Sequence, residues 1–215
     1  MPVGSAKFGF MAAAGAGGGA DAWTKLTEWL APASNTAGVV FEDGGGQSQT
    51  TDTSASQDWS EYDILRVVGT GKSLYAGDIM THYIRLYPAS GTANASFIEW
   101  KVHYNGNRSA TKYTSHSWHN YSGLIGPSTQ TNVTAYDYSG MDMWVMSPNS
   151  SEWKPYSVRS SSCVEGLTGL QQFSFTEGVV EITSPIRKIS MYSNWPHAGG
   201  SHYTLYGLTA KNGPY

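Results

Sequence analysis

The chain has 215 residues, 13% of them charged and 40% apolar, with a net charge of −3. It carries no clustered Lys and Arg, which excludes a phosphate-neutralising nucleic-acid surface, and its single cysteine, Cys163, excludes an intrachain disulfide. No run reaches the roughly 20 apolar residues of a membrane-spanning helix, so no membrane insertion is expected.

A chain rich in aromatics, Thr, Gly and Asn, and poor in Lys and Glu, favours strands and turns over helices. Its length suits one compact domain with an appendage and is enough to bury a real core. Residues 1–20 are the expected appendage, because Gly15, Gly17, Gly18 and Gly19 make a flexible link. Phe8, Phe10 and Met11 are apolar groups in this otherwise featureless stretch, and they need something to bury against. They are the candidate anchor, ordering on a neighbouring subunit or on another protein. The same stretch makes a poor signal peptide, since glycine interrupts the apolar run and Lys7 is its only charge.

Residues 21–215 are expected to be all-β. Trp23 to Leu30 fits a short helix or a strand, and its threonines favour the strand. Val39 to Phe41 is a short strand ended by Asp43-Gly44-Gly45-Gly46, and Gln47 to Asp58 is a polar loop. Tyr62 to Val68 is a strand with a turn at Gly69 to Lys72, and Thr81 to Tyr87 is a strand halted by Pro88. Phe97 to Tyr104 alternates most cleanly, with Ile98, Trp100, Val102 and Tyr104 on one face. Asn105-Gly106-Asn107 then signals a hairpin turn, with Arg108 to Tyr113 returning antiparallel. Asn120 to Thr131, holding Gly123, Gly126 and Pro127, reads as a loop. Val133 to Tyr138 and Asp142 to Met146 read as strands around Ser139-Gly140, and Pro148 to Lys154 as a turn. Val158 to Val164 and Leu170 to Phe175 are further strands.

The closing stretch is the most regular. Ile189 and Met191 alternate with Lys188, Ser190 and Tyr192; Asn194 to Ser201 breaks the pattern; then Tyr203 and Leu205 point one way and Thr204, Tyr206 and Leu208 the other. This predicts a closing hairpin or a return strand, with Leu205 in the core. Roughly eight to ten strands at close spacing argue a sandwich or jelly roll.

Ile182, Thr183, Ser184, Ile186 and Ile189, followed by a loop and then Gly200, Ser201, Leu205, Tyr206, Gly207 and Leu208, carry a resemblance. This pattern resembles the C-terminal end of a class of tailed-bacteriophage virion proteins, the β-sandwich modules of tail fibres, head fibres and capsid decoration proteins. The opening Met1 to Phe10 is similar to the N-termini of such proteins. Looser likeness lies in Trp23 to Leu26, Tyr62 to Val68 and Tyr83 to Tyr87, so only part of the chain is covered. The resemblance implies a jelly-roll-like antiparallel β-sandwich on the virion surface, made in the bacterial host cytoplasm. It also implies a symmetric homo-oligomer, commonly a trimer, anchored through its N-terminus on other virion proteins such as a major capsid or tail protein.

Catalytic chemistry has no anchor in the sequence. There is no G-x-S-x-G elbow, S-x-x-K or H-E-x-x-H. His116 and His119 form an H-x-x-H pair with no third ligand nearby, and read as loop histidines. Glu99, Asp137, Asp142 and Glu181 are the only acids in or beside strands that could pair for glycoside cleavage, and spacing brings no two together. No cofactor or metal site is expected, and the role expected is structural rather than enzymatic. The sequons at Asn94, Asn107, Asn120, Asn132 and Asn149 follow from a composition rich in Asn, Ser and Thr. The 8 Trp and 14 Tyr exceed what a sandwich core of this size needs. Trp118, Tyr121, Trp153, Tyr156 and Trp195 fall in expected loops, where flat rings suit a host-surface glycan or a subunit interface. The alternative to a virion protein is therefore a carbohydrate-binding module using these loop aromatics.

Overall fold

The computed structural model describes residues 23–31, 36–43, 58–71, 80–88, 97–105, 110–115, 122–128, 139–162 and 172–209. In chain order these form β1 (Thr24–Leu30), β2 (Thr36–Glu42), a 3-10 turn (Trp59–Glu61), β3 (Ile64–Gly71), β4 (Met80–Pro88), β5 (Phe97–Asn105) and β6 (Ala110–Ser115). They continue with β7 (Ser122–Ser128), β8 (Ser139–Met146), β9 (Lys154–Ser162), β10 (Gln172–Val180), β11 (Ile186–His197) and β12 (His202–Leu208). No α-helix occurs among the described residues. The 3-10 turn starts where Asp58 caps it, its carboxylate accepting from the Ser60 amide at 2.8 Å.

The strands make two antiparallel sheets. The larger has the order β1-β12-β3-β8-β9-β10-β5-β6, and the smaller β2-β11-β4-β7. Period-two alternation decides which side chains meet. On β8, Met141, Met143 and Val145 are buried while Asp142 and Trp144 stand half-buried on the other face. In register across the larger sheet, Leu205, Val67, Met143 and Val158 form one buried row. Phe41, Ile84, Leu86, Ile189 and Met191 of the smaller sheet join the same buried cluster. Burying each such side chain stabilises by roughly 1.5–3 kcal/mol.

The last two strands form a return rather than a hairpin. β11 lies between β2 and β4 in the smaller sheet, and β12 between β1 and β3 in the larger. The expected loop from Asn194 shortens, because β11 runs on to His197 and the four residues Ala198 to Ser201 join β11 to β12. The Ser201 hydroxyl donates to the Ala198 carbonyl at 2.8 Å, and the Ala31 amide donates to the Ser201 carbonyl at 2.7 Å. Leu205 is fully buried, as its alternation predicts. Gly207 has its own reason: a methyl there would collide with the Tyr62 ring, which packs on the core.

Other expected boundaries move. Gly69 to Gly71 continue β3 instead of turning, and a side chain at Gly69 would strike Tyr203 and the His202 carbonyl on β12. Ser139-Gly140 opens β8, where the Ser139 hydroxyl donates to the Gly71 carbonyl at 2.9 Å. The segment with Gly123, Gly126 and Pro127 is a strand, β7, not a loop. Among the described residues it pairs only with β4, through register shifts, and an edge strand tolerates a residue with no amide to donate. β5 and β6 pair antiparallel as the Asn-Gly signal requires. The strand expected at 133–138 lies outside the described residues.

Candidate functional site

Register places two rows on the outer face of the larger sheet. One runs Tyr206, Arg66, Trp144, Ser157, Glu177; the next runs Thr204, Val68, Asp142, Arg159, Phe175. β9 contributes Pro155, Ser157, Arg159 and Ser161 to this face, alternating with Tyr156, Val158 and Ser160, which are buried. Pro155, Ser157 and Ser161 are small beside Trp144 and Met146 on β8 and Glu177 on β10, and they leave a trough along β9 on either side of Arg159. Its wider part is a depression of about 460 Å³ walled by Trp144, Met146, Arg159 and Glu177, with Pro155 and Ser157 beneath. A second depression of about 350 Å³ continues past Asp142 and Arg159 towards Thr70, Gly140 and Ser161. The first falls within the range of small-molecule sites, about 300–1,000 Å³.

The Trp144 wall is held from behind. Arg66 donates to both carboxylate oxygens of Asp142, Nε to Oδ1 at 2.8 Å and Nη2 to Oδ2 at 2.9 Å. Its guanidinium then lies 4.7 Å from the centre of the Trp144 ring and 5.5 Å from that of Trp23. The two indoles meet edge to face at 5.2 Å. A bidentate pair fixes the plane of the cation, and cation–π attraction fixes the rings around it. Arg159 lies 5.2 Å over the Phe175 ring. Among the described residues, neither Arg159 nor Glu177 makes an ion pair. The trough therefore offers an aromatic wall, a guanidinium with open donors, a carboxylate and a hydroxyl.

The residues singled out from the sequence scatter. Tyr156 is a correction: it sits in β9, not in a loop, and is only 3% exposed, because even-numbered positions of that strand face the core. Trp153 is 47% exposed on the turn between β8 and β9, as expected of a loop aromatic. Trp195 falls in β11 rather than the closing loop. Trp118 and Tyr121, the candidate anchor residues Phe8, Phe10 and Met11, and Cys163, His116, His119 and Asp137 lie outside the described residues. Of the acids considered, Asp142 has both oxygens engaged by Arg66.

A different polar centre closes the end of the molecule. Lys154 is fully buried, and its Nζ donates to the carbonyls of Glu152 at 2.5 Å, Ser150 at 2.6 Å and Ile182 at 2.9 Å. Burial pushes its pKa below the usual lysine value. Beside it, Arg187 pairs with Asp43 at 2.9 Å, and Asn149 donates to the carbonyls of Trp59 and Tyr62 at 2.8 and 3.0 Å. The Lys154, Arg187 and Asn149 donors serve backbone carbonyls or a neighbouring carboxylate, so this centre is a clasp. At the other end, His197 is buried edge-on to Trp29 and Tyr203, at 5.5 and 5.6 Å. Burial alone lowers its pKa to about 4 and raises that of the Tyr203 phenol.

Trp23, Trp144, Arg66, Ser157, Arg159 and Glu177 lie in or beside strands, where no loop composition marks them in the sequence. The available signal was Asp142, Trp144 and Met146 alternating with Met141, Met143 and Val145: both faces of one strand carry large side chains. Comparison with known protein families, with characterised proteins and with solved structures finds no match.

Proposed function

We propose that this chain is a non-enzymatic structural protein of a tailed-bacteriophage particle, displayed on the virion surface as a capsid decoration protein or short fibre subunit. In this reading the two sheets face one another as a jelly-roll-like β-sandwich. Residues 1–20 dock on a capsid or tail protein, and the chain assembles as a homo-oligomer, with a trimer expected. The observation that carries it is the placement of the residues behind the resemblance. Ile182, Ile186, Ile189 and Leu205 are all buried, and they lie in or beside β11 and β12, which join the two sheets. The motif is thus part of the framework that such modules would share. Asp142 has a structural task in this reading: its carboxylate accepts from Arg66 at both oxygens and so orients the guanidinium.

The test is location. Antibody raised against the chain, visualised by immunogold on purified particles, should label capsid or tail surfaces. Removing residues 1–19 should give a folded protein that no longer incorporates. Unlabelled particles would overturn the reading, and normal incorporation of the truncated chain would overturn the anchor.

A second reading, a carbohydrate-binding surface, is favoured by the outer-face trough. It moves the binding aromatics from the loops to the sheet.

A further inference from the structure

We infer that the trough along β9 binds a saccharide chain, with one pyranose ring against Trp144 and its hydroxyls on Arg159, Glu177 and Ser157. This rests on the carbohydrate reading above and is independent of the particle reading.

Four observations carry it. First, the half-buried Trp144 ring is braced, because Arg66 is held by two hydrogen bonds to Asp142 and lies over the indole, with Trp23 meeting it edge to face. A rigid aromatic wall loses little conformational freedom when a ligand settles on it. Second, the groups around that wall are the complement of a vicinal diol. A guanidinium presents paired donors, a carboxylate paired acceptors, and a serine hydroxyl serves as either. Arg159 and Glu177 are both exposed and unpaired among the described residues. Third, the wall on β8 and the carboxylate on β10 flank Ser157 in a single register row, so they face each other across one small side chain. Fourth, the trough does not close around one ring. It passes Arg159 into the second depression, so it suits an internal stretch of a polymer rather than a capped small molecule.

Charge narrows the class. Asp142 is neutralised by Arg66, and the remaining Arg159 and Glu177 balance one another, so the trough carries no net sign. A neutral, hydroxyl-rich chain fits it better than a polyanion, and nothing in it gathers cations for phosphate. The lining is apolar at Met146 and Pro155, as suits the ring face of a sugar.

The test uses the full chain and four soluble probes: oligomers of glucose, mannose, galactose and N-acetylglucosamine, titrated at millimolar concentration by calorimetry and tryptophan fluorescence. One or more should bind saturably. Trp144→Ala should weaken that binding about tenfold. Ser157→Trp, which fills the trough from a surface position, should abolish it while leaving the thermal midpoint unchanged. Glu177→Gln and Arg159→Met should each weaken it with the fold intact by circular dichroism. Binding that survives both Trp144→Ala and Ser157→Trp would overturn the trough and leave the carbohydrate reading standing elsewhere on the surface. No binding of any probe would overturn both. Loss of oligomer on gel filtration with Ser157→Trp, without sugar binding by the parent, would assign the face to a second copy of the chain and also overturn the inference.

Discussion

Two cations on one strand show how differently the same sheet is used on its two faces. Lys154 and Arg159 both belong to β9, five positions apart, and alternation sends them opposite ways. Lys154 turns inward, where three carbonyls take all three donors of its ammonium. Arg159 turns outward and rests on the Phe175 ring, with no ion-pair or hydrogen-bond partner among the described residues. A buried charge must have its donors filled by the protein, since an unfilled one costs the desolvation of the group. An exposed charge bears no such constraint, so its open donors are available to a ligand. The inner face therefore holds the fold, and the outer face is the one the proposed saccharide would use.

The contrast can be broken from the inside first. Leu205→Ala should lower stability by about 2–5 kcal/mol, since the fully buried leucine sits in the row with Val67 and Met143. A denaturant-unfolding change below about 0.5 kcal/mol would place that residue outside the core. Lys154→Met keeps the stem and removes the ammonium. It should cost about 3 kcal/mol, because the carbonyls of Ser150, Glu152 and Ile182 lose their partner together. Lys154→Arg should fail to rescue it, since a planar fork does not match three converging oxygens.

Acid sharpens the same point. His197 has its pKa lowered to about 4 by burial, against 6.5 when exposed. As pH falls, the unfolded chain takes up the proton first. Stability is therefore full above about pH 6.5, falls between about 6.5 and 4, and loses about 3 kcal/mol across that window. His197→Phe should flatten this part of the pH profile in urea melts, and an unchanged profile would remove His197 from the account. The outer face should respond least. Asp142→Asn removes the charged pair with Arg66 and should cost about 1 kcal/mol, because the pair is partly solvated. Arg159→Met should change stability by less than about 0.5 kcal/mol.

The inner face was legible in the sequence and the outer face was not. Ile189, Met191, Tyr203 and Leu205 announce burial by alternation, and the structure buries all four. The Asn-Gly turn identifies the β5–β6 pairing, because turn chemistry is local. Glycine misled where its cause is remote. Gly69 looks like a turn residue, yet it is small because Tyr203, more than a hundred positions away, lies against it. β7 was hidden by Pro127 and two glycines, which an edge strand accepts and a central strand does not. The trough needs Trp144, Ser157 and Glu177 side by side, and that neighbourhood is set by the β8-β9-β10 order, which no single segment encodes. Tyr156 and Ser157 are adjacent in sequence, and one is core while the other lines the trough.

The central claim is that ligand recognition belongs to the outer face alone. Its most direct measurement is the set of tryptophan indole N–H resonances during titration with whichever probe oligosaccharide binds, with Trp144 assigned by Trp144→Phe. The account predicts that the Trp144 resonance moves with saturation while those of the buried Trp29 and Trp59 stay fixed. A still Trp144 resonance, with shifts confined to other tryptophans, would contradict it.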